Sequence, residues 1–410
     1  MKSPPKTNPK KPRPFKRNSV PIVLAGATFI SCVVLFFMFL RNGESPLPKE
    51  ETKHDSLGHT NAKVPLSEET WIERSSLIDK QFHRVYTAGW EGANGAIGDA
   101  YLYAATNDES LLLFHAKEHE LRNLFNGTWV DDRAWASLAE LYWWDFTGRN
   151  NMAWVADAAE RYQSAKKEGR LSSHEGYWTW YNWPPGARLN EPIFTNSNMN
   201  QMVSVACRLY EATGHKEYLQ DALRVWNGDG VIPGIEKQLY RGDGRWEGNP
   251  GKAAFGKELP WSGLAYSSIG ANLYRVTNEE KYRKVAVATA KRIMNPANGW
   301  VAPDYFYQVH MDGNGNFVHF LLDAYEIAPE ELSDIPQKVE SMLDHVWTNN
   351  YGQSRVILHR ESDHGIRNGW NPLGGEDGYG VGEVGTVHAQ SQAIRAFGVF
   401  TYFKLKANLK

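Results

Sequence analysis

The sequence predicts an all-α fold of helical hairpins behind one N-terminal transmembrane helix. From Ser67 onward, apolar residues recur with the period of an α-helix and short turns separate the periodic segments. No long run of alternating apolar and polar residues indicates a sheet. Hydrophobic residues make up 42% and charged residues 22% of the 410 residues, which is typical of a globular protein with a substantial core.

Three segments precede the predicted folded domain of residues 67–410. Residues 1–19 are rich in Pro and Lys and predict a disordered tail, and residues 41–66 predict a polar stalk. Residues 20–40 contain no charge and have the length of roughly 20 residues that crosses a membrane as a helix. Seven cations and no acid precede this span, so the positive-inside rule predicts a type II protein with a cytoplasmic N-terminus.

A cleavable signal peptide is the alternative to this anchor. Its apolar region would hold only about 7 to 15 residues and end in small residues. Here the apolar run is longer and ends in the bulky sequence FFMFL at 36–40, which favours an uncleaved anchor. The folded domain is then expected in the lumen of the secretory pathway or outside the cell.

Charge and cysteine content exclude several classes of protein. Without the seven N-terminal cations, the net charge of −2 becomes about −9, whereas nucleic-acid-binding domains carry a basic surface. Cys32 lies in the predicted span and Cys207 is alone in the predicted lumenal part, so that domain can form no internal disulfide. Asn126 begins an Asn-Gly-Thr triplet and is a predicted glycosylation site. We expect a monomeric lumenal domain.

A recurring pattern marks the helical hairpins. An aromatic residue near a helix end is followed by Thr and then by Gly or Asn, which supplies the left-handed residue that ends a helix. The pattern occurs at 103–107, 144–148, 210–214 and 274–278. With further helices predicted at 317–327, 332–347 and 386–405, the chain contains about six hairpins. A closed ring would bury all their apolar faces, and an open solenoid is the alternative.

Two adjacent aspartates, Asp131 and Asp132, stand just before a strongly periodic helix. Helix capping is one explanation, although neither has Glu or Gln three residues later. Alternatively, side chains at a helix start diverge by only about 100°, so both acids can face one cleft. Mutual repulsion would divide the pair into a carboxylate and a protonated acid, the two groups that a retaining glycosidase holds about 5 Å apart.

The surroundings of this pair carry a family resemblance. The segment from Asp131-Asp132 through Trp135 to Thr147-Gly148 is similar to the double-aspartate motif of glycoside hydrolase family 76, the endo-α-1,6-mannanases. The segments 90–94, 194–200 with 209–214, and 315–319 resemble other parts of that family in the same order. The resemblance covers roughly residues 67–403.

The resemblance implies an (α/α)6 barrel that cleaves α-mannosidic linkages, of the α-1,6 type, in mannan or other mannose-containing glycans. It implies Asp131 as nucleophile and Asp132 as acid/base. The chain departs from the family pattern at Trp261-Ser262-Gly263, in place of Asn-Gln-Gly, and at Thr195, in place of a basic residue. These departures leave two alternatives open, a transglycosylase acting on mannose-containing cell-wall or anchor glycans and a catalytically silent glycan-binding barrel.

Other side chains are candidates to contact a glycan. Trp178 and Trp180 precede a Pro-Pro-Gly turn, where loop tryptophans either stack on sugar rings or pack the loop. Asn196 and Asn200 are four residues apart and share one helix face, where amides can bind hydroxyls. With positions added from the resemblance, the substrate-binding candidates are Trp90, Asn94, Trp178, Trp180, Asn196, Asn200 and Trp261.

The sequence predicts neither a metal nor a cofactor. The histidines at 310, 319, 359 and 364 are scattered and show no tight ligand spacing. No dinucleotide-binding, phosphate-binding or serine-nucleophile motif occurs. Glu376, Asp377 and Glu383, in the glycine-rich run 374–385, are a secondary acid candidate.

Overall fold

A computed structural model describes residues 66–118, 121, 129–168, 178, 201–247, 260–298, 301, 314–350 and 387–408. Within these ranges the chain is helical apart from turns and isolated β-bridges, and it contains no strand. The predicted all-α fold is confirmed. No helix in these ranges has both the length and the apolar character of a membrane span. The span predicted at 20–40 lies outside them.

The described part of the chain contains thirteen α-helices. They are α1 Glu68–Val85, α2 Trp90–Thr106, α3 Glu109–Leu113, α4 Val130–Phe146, α5 Met152–Lys167, α6 Met202–Thr213, α7 Lys216–Asn227, α8 Ile235–Leu239, α9 Pro260–Thr277, α10 Glu280–Ile293, α11 Asn314–Ile327, α12 Ile335–Asn350 and α13 Val387–Asn408. A π-helical turn, Phe114–Glu118, continues α3. The three helices predicted after residue 300 occur as α11, α12 and α13.

Six of the described helices form a closed inner ring. Contacts run in order through α2, α4, α6, α9, α11 and α13, and α13 contacts α2 again. The outer helices cover this ring: α1 packs on α13 and α2, α3 on α2, α5 on α4, α7 on α6, α10 on α9, and α12 on α13. This arrangement is an (α/α)6 barrel. The open solenoid is wrong, because its first and last inner helices would not touch.

Glycine allows the close approach of α2 and α13 that completes the ring. A Cβ atom on Gly98 would lie 2.5 Å from the carbonyl group of Ile394. A Cβ atom on Gly398 would lie 2.4 Å from the carbonyl oxygen of Gly98. A larger residue at either position would push the two backbones apart.

The recurring Thr pattern marks where four inner helices end. The Thr106 hydroxyl donates to the Leu102 carbonyl (2.8 Å) and accepts from the Asp108 amide (3.3 Å), while Asn107 has a left-handed backbone with φ of 54°. Hydroxyl donation to the carbonyl four residues earlier recurs at Thr147, Thr213 and Thr277. One side chain thus satisfies backbone groups that a helix end leaves unpaired. The helix ends predicted from this pattern are confirmed.

The inner helices begin at the same end of the barrel. Residues in the first halves of three of these helices meet across the ring, where Arg395 of α13 contacts Asn94 of α2 and His319 of α11. Short turns lead from the inner helices into outer helices that return in the opposite direction. One end of the barrel therefore collects the N-termini of the inner helices, whose unpaired amides favour negative charge.

Candidate active site

Asp131 and Asp132 are the second and third residues of α4, at the end of the barrel where the inner helices begin. The N-cap of α4 is Trp129, whose side chain makes no capping hydrogen bond. Neither aspartate is the N-cap, so the capping explanation is wrong. Instead, Oδ1 of Asp131 accepts a hydrogen bond from the backbone amide of Asp132 at 3.2 Å. Both side chains are half-buried.

Asp132 sits in an environment that favours its protonated form. Burial, followed by the negative charges of Asp131 and Glu91, raises the pKa of Asp132 to about 8. Glu91 is the second residue of α2, so two neighbouring inner helices bring three acids together at their N-terminal ends. All three effects disfavour the charged form, and Asp132 is therefore an acid that holds its proton at neutral pH.

A buried arginine lies below the paired aspartates. Trp135 is one helical turn after Asp131, and the guanidinium of Arg395 lies 4.8 Å from the centre of the Trp135 ring. Arg395 donates hydrogen bonds to Oδ1 of Asn94 and to Nδ1 of His319. Burial lowers the pKa of Arg395 to about 10, so it remains a cation at neutral pH. Arg395 of α13 therefore contacts side chains of three other inner helices, α2, α4 and α11, beneath the aspartates.

His319 extends this network as a neutral imidazole. Because a guanidinium can only donate, Nδ1 of His319 is the acceptor and Nε2 carries the proton. Nε2 lies 3.1 Å from the Tyr101 hydroxyl and 3.0 Å from the Tyr142 hydroxyl. Burial and then the charge of Arg395 keep the pKa of His319 well below its ordinary value. The network fixes α2, α4, α11 and α13 relative to one another.

The other described candidates have packing contacts. Trp90 is the first residue of α2, and its carbonyl accepts a hydrogen bond from Nδ2 of Asn94 at 3.1 Å. Asn94 is fully buried. Trp178 is only 1% exposed, and its ring centre lies 5.4 Å from that of Tyr162 on α5. These contacts match the packing alternative, and the substrate-binding roles of the three residues stay predictions.

Several predicted residues fall beyond the described part of the chain. Trp261 is the second residue of α9, but the structure does not describe its side chain. The remaining candidates outside the described residues are Asn126, Trp180, Asn196, Asn200, Glu376, Asp377 and Glu383.

Sequence reasoning missed two residues of this region, Glu91 and Arg395. A signal existed for each of them. Glu91 is an acid in the segment 90–94 that precedes the helix end predicted at 103–107, and Arg395 is the one charged residue within the run from Ala393 to Phe400 of α13. A charge in an apolar helix needs a buried partner, which is the observation that could have identified Arg395.

Known structures with this fold include glycoside hydrolases. No family model and no curated protein matches the sequence. An inactive variant of an α-1,6-mannanase from Salegentibacter sp., in complex with an α-1,6-linked mannose tetrasaccharide, matches with a TM-score of 0.63 and 14% identity over 81% of this chain and 98% of that chain. In that variant two adjacent aspartates are replaced by alanine.

Two further solved structures match equally well. A family 76 glycoside hydrolase (mannosidase) from Bacteroides thetaiotaomicron has a TM-score of 0.63 and 14% identity over 82% of this chain and all of that chain. Dfg5 from Chaetomium thermophilum, in complex with glucosamine, has a TM-score of 0.63 and 11% identity over 84% of this chain and 92% of that chain. The chain thus has the barrel fold of the solved family 76 structures.

Proposed function

We propose that this chain is a family 76 glycoside hydrolase that cleaves α-mannosidic, chiefly α-1,6, linkages with retention of configuration. The observation that carries the proposal is the pair of adjacent carboxyls in the first turn of α4, which do not cap the helix and of which Asp132 has a pKa raised to about 8. The fold supports it, as does the Salegentibacter mannanase variant, which is inactive without two adjacent aspartates.

In this mechanism the two acids have separate tasks. Asp131, which accepts a hydrogen bond from a first-turn amide, attacks the anomeric carbon as a carboxylate. The bond from that carbon to the leaving oxygen breaks, and Asp132 gives its proton to that oxygen. In the second step a water molecule gives a proton to Asp132 and its oxygen bonds to the anomeric carbon. Asp131 is released as a carboxylate, and both acids return to their starting states.

The charge of this region favours a neutral glycan. Asp131, Asp132 and Glu91 adjoin at the end of the barrel where the reaction is proposed. The chain after the predicted span carries a net charge of about −9. Polysaccharides of uronic acids would be repelled, whereas a mannose-containing polysaccharide carries no charge to be repelled.

We further propose that the catalytic domain acts in the secretory lumen or at the cell surface, as a monomer glycosylated at Asn126. The support is the uncharged segment 20–40 and the seven cations before it. Protease treatment of sealed vesicles should leave residues 67–410 protected. A mature protein that begins after Leu40 would overturn the anchor and make the segment a signal peptide.

The activity is tested with the full chain in detergent, incubated with linear α-1,6-linked mannose oligosaccharides. Shorter oligosaccharides whose new reducing ends first appear in the α configuration are the expected products. Longer oligosaccharides would favour the transglycosylase, and unchanged substrate that nevertheless binds would favour the silent barrel. Asp145→Asn is the matched control, since Asp145 lies on the same helix at its opposite end and pairs with Arg149. It should keep full activity.

A further inference from the structure

Two imidazoles and a carboxylate converge between α1, α2 and the π-helical turn that follows α3. Nε2 of His83 lies 2.9 Å, and Nε2 of His115 lies 2.7 Å, from the same oxygen, Oδ2 of Asp99. The ligand atoms of these three residues all lie within 4.8 Å of one another. Asp99 and His115 are completely buried, while the side chain of His83 is 19% exposed and gives the cluster a route to solvent.

A second carboxylate, Asp79, adjoins the cluster one turn before His83 on α1. Oδ1 of Asp79 lies 2.9 Å from Nε2 of His83, the same nitrogen that lies 2.9 Å from Oδ2 of Asp99. An imidazole nitrogen carries at most one proton, so Nε2 cannot donate along both directions at once. Oδ1 of Asp99 is buried without a hydrogen bond from the described residues. Buried oxygens of this kind cost free energy unless a proton or a metal cation satisfies them.

Packing holds both imidazoles in place. The ring of His83 stacks on Phe114, with centres 3.5 Å apart and planes 8° apart. The ring centre of His115 lies 5.3 Å from that of Trp143 on α4. His115 also belongs to a π-helical turn, a rare conformation that recurs at functional sites. His83 of α1 and His115 of the π-helical turn therefore both direct Nε2 toward the carboxylate of Asp99 on α2.

We propose that His83, Asp99 and His115, with Asp79 as the fourth ligand, form a zinc-binding site. Two imidazole nitrogens and two carboxylate oxygens are a donor set that Zn²⁺ takes in tetrahedral geometry. Ligand atoms around such an ion lie about 3.3 Å apart, so binding requires the present contacts to open by roughly 0.5 Å.

The role of this site is structural. Four protein ligands leave no position for a substrate. Asp99 follows Glu91 by eight residues, which places it about 12 Å along α2 from the end that carries the paired aspartates. An ion here joins outer helix α1 and the π-helical turn to inner helix α2.

The test is elemental analysis of the full chain purified in detergent without added chelator. One zinc ion per chain is expected. Removal of zinc with a chelator should lower the Tm, and Zn²⁺ but not Mg²⁺ should restore it. Co²⁺ added to the stripped protein should produce the visible absorption of a four-coordinate site. Asp99→Asn should lose the zinc and the absorption, whereas Asp79→Asn should weaken zinc binding by at least about tenfold.

Asp323→Asn is the matched control. Asp323 is a buried aspartate that accepts from Ser268 (2.6 Å) and lies 3.6 Å from His319, which is the one imidazole beside it within the described part of the chain. This variant should lose stability and keep its zinc. If the wild-type chain contains no zinc and added Zn²⁺ does not change its Tm, the proposal is overturned. The four residues would then form a hydrogen-bonded ion cluster without a metal. Should Asp99→Asn not fold, the wild-type cobalt spectrum decides alone.

Discussion

Two aspartates on neighbouring inner helices, the half-buried Asp132 on α4 and the fully buried Asp99 on α2, have opposite acidities. Burial acts on both in the same direction and favours the protonated form. Beside Asp132 stand two carboxylates, and the pKa rises to about 8. Beside Asp99 stand two imidazoles, which outweigh the burial, and the pKa of Asp99 falls to about 2. The sign of the neighbouring charge, rather than depth, decides whether a buried acid holds its proton or remains an anion.

The largest effect is expected for the paired aspartates. Asp132→Asn should lower kcat/KM by about 10² to 10⁴, since general acid–base help is worth that much, and Asp131→Asn should cost at least as much. A substrate with a good leaving group needs little protonation, so it should rescue Asp132→Asn but not Asp131→Asn. Rates on an oligosaccharide and on an activated aryl mannoside measure both effects.

The Tm measured beside each rate separates chemistry from folding. Asp145→Asn serves again as the control on the same helix. Near wild-type turnover by either variant on the oligosaccharide would rule out the paired-carboxylate mechanism.

Asp99→Asn should be the most destabilising aspartate substitution. It removes the buried anion between the buried imidazole of His115 and the partly exposed imidazole of His83, and losing one partner of a buried ion pair costs about 3–5 kcal/mol. Asp132→Asn should not lower the free energy of unfolding at pH 8. The influences on the pKa of Asp132 are burial and the negative charges of Asp131 and Glu91, so the substitution removes no favourable charge interaction. Denaturant unfolding of both variants in one buffer makes the comparison. Equal decreases in the free energy of unfolding would mean that burial, and not the neighbouring charge, determines how much each aspartate contributes to stability.

The rate should fall on the alkaline side of pH 8. Asp132 acts as an acid only while protonated, so above its pKa of about 8 kcat/KM should drop about tenfold per pH unit. The residual rate of Asp132→Asn should show no such limb. If kcat/KM already declines from pH 5, the pKa of Asp132 is close to that of an ordinary aspartate. The contrast in acidity between Asp132 and Asp99 would then be lost.

Stability should depend on pH through the same group. The folded-state pKa of Asp132 is raised from 3.8 to about 8, so the folded protein binds the extra proton between these values. Its contribution to stability is fully present below pH 3.8 and is lost as the pH rises through about 8. The Tm of Asp132→Asn relative to wild type should therefore increase from pH 4 to pH 8, as calorimetry at several pH values can show. A constant difference would contradict the raised pKa.

Glu91→Gln should give the smallest effect. Glu91 contributes less than burial or Asp131 to the raised pKa of Asp132. Removing its charge should move the alkaline limb to lower pH by less than about one unit. Glu160→Gln, on the exposed face of α5, is the control that should leave the limb in place. A shift toward higher pH would mean that Glu91 does not act on Asp132 through its charge.

The sequence by itself determined the all-α class, the ends of four inner helices and the position of the paired aspartates near a helix start. Helix ends are local events: Thr106 bonds to groups within four residues, so a short pattern identifies them. The exclusion of a sheet follows from periodicity in the same way. Periodicity also predicted a helix at the paired aspartates, but it placed them just before the helix, whereas they are the second and third residues of α4. The sequence could not choose between helix capping and catalysis for Asp131 and Asp132, because the choice depends on where α4 begins to within one residue.

Only the tertiary structure decided the closure of the ring and the neighbours of each buried charge. Arg395 meets Asn94 across 301 residues of chain, and no periodicity reports such a contact. His83 and His115 each lie 16 residues from Asp99, a spacing too wide for a metal motif, so nothing in the sequence predicts that the three residues meet. Electrostatic interaction depends on distance in space, and separation along the chain does not determine that distance until the helices pack.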